Sequence, residues 1–109
     1  MSNPVNYSDT PIVPVKGPIT RRILANGPSL MAVEFTFSDV FVDTPHSHPN
    51  EQVSVILEGK FECNMNGELF LMTPGDSIFF ASNVPHCMNC LVPGKIMDSF
   101  TPRREDFLK

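Results

Sequence analysis

Residues 61–72 read Phe-Glu-Cys-Asn-Met-Asn-Gly-Glu-Leu-Phe-Leu-Met. Phe61, Cys63 and Met65 alternate with Glu62, Asn64 and Asn66, the period of two of a strand with one buried face. Asn66-Gly67 then offers two residues that tolerate positive φ, which a type I′ turn needs at both central positions. Glu68–Met72 is the return strand. A β-hairpin therefore stands near the middle of the chain.

The same period recurs on both sides of it. Upstream, Met31, Val33, Phe35 and Phe37 alternate with Ala32, Glu34 and Thr36. Residues 52–57 form a further strand, with Val53, Val55 and Leu57 on one face, and Glu58-Gly59 is an expected turn. Downstream, Thr73-Pro74-Gly75-Asp76 is a turn. Residues 77–81 and 86–92 are strands divided by a bend at 82–85. Pro93-Gly94 is expected to turn the chain into a strand over 95–100. The tail, residues 101–109, is expected to form one helical turn, with Thr101 as N-cap and Pro102 as its first residue. Residues 1–18 carry four of the eleven prolines and read as an extended arm, along a sheet edge or across to a second subunit. Many short strands with regular turns mean an all-β sandwich or barrel. Ile78, Phe79, Phe80, Phe35, Phe37, Phe41 and Phe61 are its expected core and wall.

Composition narrows the classes. A chain of 109 residues, 41% hydrophobic, fits a single globular domain over 1–109. The net charge is −4, and only Arg21-Arg22 and Arg103-Arg104 are adjacent basic residues, so no stripe for nucleic acid exists. No apolar run is long enough for a membrane span. The stretch MSNPVNYSDT lacks the features of a signal peptide, and three cysteines make no disulfide framework. A cytoplasmic setting is expected. Cys87-Met88-Asn89-Cys90 is a lone CxxC on a predicted strand, so these cysteines are read as small core or surface residues.

The three histidines carry the chemistry. His46 and His48 lie two apart in Pro45-His46-Ser47-His48-Pro49. On an extended chain both imidazoles point to one side, where two can chelate one ion. Gln52 shares their parity and Glu51 does not, although Pro49-Asn50 interrupts the strand between. His86 returns after a hairpin and a further strand.

The run His46-Ser47-His48-Pro49-Asn50-Glu51-Gln52, then six residues, then Gly59, resembles the first cupin motif. Pro74-Gly75-Asp76 through Val84-Pro85-His86 and Asn89 resembles the second, with Ala81 and Asn83 where Pro and Gly are usual. The resemblance implies a double-stranded β-barrel of two sheets, a jelly roll. It also implies a metal held by His46, His48, Gln52 and His86, with Gln52 in place of the usual glutamate. Three imidazoles and an amide leave the full charge on a divalent ion, so the site favours an anionic oxygen. Imidazole suits several transition metals, and Zn, Ni, Fe, Mn or Cu fits the set.

The segment Asp98-Ser99-Phe100-Thr101-Pro102-Arg103-Arg104-Glu105-Asp106-Phe107 resembles the tail of small single-domain cupins of pectin and alginate degradation, the KdgF type. That resemblance implies linearisation of 4,5-unsaturated monouronates to open-chain keto sugars. Asp98 would be the catalytic acid/base, Phe100 would line the pocket, and Arg104 would bind the substrate carboxylate. Two other uses of such a barrel compete: an iron-dependent dioxygenase and a non-catalytic metal- or sugar-binding protein. The partner expected is a small sugar acid, with no nucleic acid and no membrane. A homodimer is expected from the arm and from sheet edges that need cover.

Overall fold

A computed structural model describes residues 3–109. Seven strands carry almost all of its regular structure: β1 (Val13–Lys16), β2 (Ile19–Asn26), β3 (Met31–Phe37), β4 (Glu51–Met65), β5 (Glu68–Met72), β6 (Ser77–Phe80) and β7 (His86–Thr101). All pairs are antiparallel, and the hydrogen-bonded path runs β1-β2-β3-β7-β4-β5, with β6 on β4. The hairpin at 61–72 forms as its sequence requires, with Asn66 at φ 54° and Gly67 at φ 90°.

Two long strands organise the rest. β4 pairs with β6 through Gln52–Val55 and with β5 through Phe61–Met65, while β7 follows it along nearly its whole length. Each strand thus serves two sheets in turn, and the sheets face each other as a jelly roll. The expected turns at Glu58-Gly59 and Pro93-Gly94 do not occur; both strands run through them with register shifts. These glycines are required by proximity instead. A Cβ on Gly59 would lie 2.5 Å from the Val92 carbonyl oxygen, and one on Gly94 would overlap the Glu58 carbonyl. The strands cross so closely there that only bare backbone fits.

Other expectations are corrected too. β2 was not expected as a strand. Of the arm expected over 1–18, Val13–Lys16 does lie along a sheet edge, paired with β2, and Tyr7–Asp9 forms a 3-10 turn. Thr101 ends β7 rather than capping a helix; the 3-10 turn comes later, at Glu105–Leu108, after Arg104. The face of β4 bearing Val53 and Leu57 looks outward, and Gln52, Ser54 and Ile56 look in. Phe79 is 52% exposed, and Phe80 takes the buried place beside it.

The main core gathers Phe37, Ile56, Phe61, Cys63, Phe80 and Ile96, and a smaller cluster joins Met31, Val33 and Phe100. The three cysteines are free and buried, and burial pushes the Cys63 thiol up to about 12. No helix among the described residues is long and apolar enough to cross a membrane.

Candidate metal centre

His46 lies on the segment before β4 and is fixed by a two-way backbone bridge to His86. Its N–H donates to the His86 carbonyl (3.0 Å), and that of His86 donates back (2.9 Å). The His48 carbonyl accepts from the Asn83 N–H at 2.8 Å. Asn83 itself sits at φ 64°, so asparagine carries the left-handed bend where glycine is usual. Gln52 is the second residue of β4, and His86 opens β7. The structure therefore brings together the four residues named from the sequence. One nitrogen from each imidazole lies within 4.8 Å of the other two.

The rings are held from behind. His48 Nδ1 faces the Asn50 carbonyl at 3.1 Å, and His86 Nδ1 faces the Val84 carbonyl at 2.8 Å. A carbonyl only accepts, so each Nδ1 carries the hydrogen and each Nε2 is a bare lone pair. Both Nε2 atoms point at Gln52 Oε1, at 2.9 and 3.2 Å. The Gln52 amide nitrogen meanwhile donates to Ser54 Oγ at 2.9 Å. Phe80 stacks on His86 with centroids 4.2 Å apart, and Phe100 packs edge-on against His48.

Three acceptors thus converge with no hydrogen among them. Either a cation satisfies such a set, or a half-turn of the amide puts its two N–H groups against the two Nε2 atoms. Only the cation also engages His46, since the amide has no third hydrogen to offer. Desolvation holds all three imidazoles neutral, the metal-binding form. His48 and His86 are buried, and His46, although its residue is exposed, is lowered to about 4 by desolvation and then by its two neighbours. The donor set fits a metal ion.

The centre opens into a cavity of about 230 Å³ lined by His46, Gln52, His86, Asp98, Phe100 and Arg104, among others. That is below the volume of pockets for drug-sized ligands, so the occupant is small. Asp98 is buried on β7, opposite Ser54, and its Oδ1 has no hydrogen-bond partner. Burial raises its pKa to about 7, against smaller opposing contributions from Ser54, Gln52 and Arg104. Arg104 reaches the cavity but spends its fork on Asp106, through Nε (3.1 Å) and Nη2 (2.9 Å). Its guanidinium lies 5.3 Å from the Phe100 ring and 4.3 Å from the Phe107 ring.

Among the cavity residues that the sequence does not assign to the site are Arg21, Phe35 and Phe107. Phe35 was assigned only to the core. Arg21 had a usable signal, since it lies at the same parity as Ile19 and Ile23, but that signal needs β2 to be seen as a strand.

Comparison with known proteins places these residues in context. The family profile for the cupin domain matches residues 39–99. The pectin degradation protein KdgF of Dickeya dadantii (strain 3937) is 31% identical over 102 residues, covering 92% of this chain and 93% of that protein. An RmlC-like cupin from Shewanella frigidimarina NCIMB 400 superposes with a TM-score of 0.92 at 34% identity, over 98% of this chain and 96% of the other. KdgF from Halomonas sp. superposes with a TM-score of 0.91 at 31% identity, over 98% and 99%.

Proposed function

This chain belongs to the cupin family, and on that premise we propose that it is a metal-dependent enzyme converting 4,5-unsaturated monouronates to linear keto sugars. One observation carries the reading: a single small cavity joins the imidazole cluster to a buried carboxyl, Asp98, and a guanidinium, Arg104. The relative named for pectin degradation supports a sugar acid as the substrate class.

His46, His48, Gln52 and His86 would hold the ion, and a bound divalent transition metal would supply Lewis acidity towards a sugar oxygen. The chain's own groups do the rest. The substrate is a cyclic enol ether with a hemiacetal and a carboxylate. Asp98 Oδ1 takes the proton of the anomeric hydroxyl. The C1 carbonyl forms as the bond from C1 to the ring oxygen breaks, and the electron pair leaves with that oxygen as the enolate of C5. Asp98 then returns the proton to C4, and C5 becomes a ketone. One proton is taken and one given back, so a single carboxyl suffices, and a pKa near 7 suits both directions. Arg104 exchanges Asp106 for the substrate carboxylate and fixes the ring against Phe100.

The test is direct. Metal-loaded protein is mixed with unsaturated galacturonate monomer, and loss of the enol-ether ultraviolet absorbance is followed. Acceleration over the spontaneous reaction is expected; its absence, with metal confirmed bound, overturns the reading.

A further inference from the structure

β2 carries two adjacent arginines with opposite fates. Neighbouring side chains on a strand point to opposite faces. Arg22 Nη1 donates to the Thr10 carbonyl (3.0 Å), the Thr10 hydroxyl (3.1 Å) and the Tyr7 carbonyl (3.3 Å), and its guanidinium lies 4.4 Å from the Tyr7 ring. The N-terminal segment thus satisfies Arg22.

Arg21 has no such partner. It shares a row with Ile19 and Ile23, which pack into the two apolar clusters, and it lines the cavity of the histidines and Asp98. Its Nε is buried without a hydrogen-bond acceptor, and among the described residues it forms no ion pair. A charged donor in an apolar row, left without an acceptor, is a standing cost that a ligand can remove.

Its surroundings say which ligand. The Arg21 guanidinium lies 4.1 Å from the Phe107 ring, and that of Arg104 lies 4.3 Å from the same ring. Of the two, only Arg104 is paired with a carboxylate, that of Asp106. Asp106 takes up the fork of Arg104 and acts on Arg21 only from beyond hydrogen-bond distance, so no carboxylate oxygen meets an Arg21 N–H. The acceptor that best answers a guanidinium N–H is an anionic oxygen.

The geometry points to Arg21 as a second anion-binding residue, one that receives an oxygen of the ligand's carboxylate beside Arg104. It sets the preference of the cavity for sugar acids over neutral sugars. This rests on the uronate reading for the class of ligand.

The experiment uses saturated galacturonate, which cannot undergo the enol-ether reaction, with galactose as its neutral counterpart. Metal-loaded wild type, Arg21→Gln and Arg21→Lys are titrated with each by calorimetry. Arg21→Gln is expected to weaken galacturonate at least tenfold, with metal content and any galactose binding unchanged. Arg21→Lys, which keeps the charge but not the fork, falls between, and it carries the comparison alone if Arg21→Gln does not fold. Equal galacturonate affinity in wild type and variants overturns the proposal. So does an equal loss for galactose, or no galacturonate binding by the wild type. Binding through Arg21 without turnover of the unsaturated sugar leaves Arg21 standing and removes the enzymatic reading instead.

Discussion

Asp98 keeps its carboxyl out of water, and burial lifts its pKa from 3.8 to about 7. Between those values the folded chain holds a proton that the unfolded chain releases. Stability from this group is therefore full below about pH 4 and is lost as pH rises towards 7. Asp98→Asn removes the effect. In metal-free protein, the melting temperature of the variant should gain on the wild type from pH 4 to pH 7 and then hold level. Parallel curves would contradict it. The same substitution should lower kcat by about 100- to 10,000-fold while metal content stays at one ion per chain. At this scale the sequence was informative where a motif spaced the residues. His46, His48, Gln52 and His86 meet as expected, because β4 and β7 place Gln52 and His86, and backbone hydrogen bonds to His86 and Asn83 hold the His46–His48 segment beside them. Arg21 was illegible because its role depends on what lies across the cavity, and Phe107 reaches it from the far end of the chain.

Strands were easier to read than the places where they bend. Period-two patterns located β3 and both halves of β4, and turn signals set off β5, β6 and the two halves of β7. Glycine and proline were read as breaks at Glu58-Gly59 and Pro93-Gly94, since turns and close backbone crossings ask for the same residue. Only the three-dimensional approach of β4 to β7 separates the two meanings. On β4 the usual pattern is inverted: Val53 and Leu57 face out because Gln52 and Ser54 serve the site within. β2 was missed because its inward row is interrupted by a charge at Arg21. Gly94→Ala should cost about 3 kcal/mol, the upper end of the overpacking range. Thermal denaturation should then show a melting point lower by roughly 10–20 °C. A loss of a degree or two would mean that the crossing relaxes easily.

For the molecule as a whole, the outward face of the sheet leaves Val53, Leu57 and Phe79 substantially exposed, and Leu69 and Leu71 add to the apolar surface. Such surface favours association, and sedimentation at micromolar concentration is expected to find a dimer. A monomer there would remove that expectation. The ladder between β4 and β7 has a further consequence. Its rungs are nested: Met65 pairs with His86 around the hairpin and β6, whereas Gln52 pairs with Phe100 around everything between them. Small loops close at lower entropic cost than large ones, so the ladder should zip from the Met65 end towards Gln52. Gln52 is then among the last residues to arrive, and the four donors exist as a set only when folding is nearly over. A metal ion would find nothing to hold at the rate-limiting step. Excess zinc should therefore slow unfolding in stopped-flow experiments and leave the refolding limb of the chevron where it was. If zinc speeds refolding instead, the donors gather early and the zipper runs the other way.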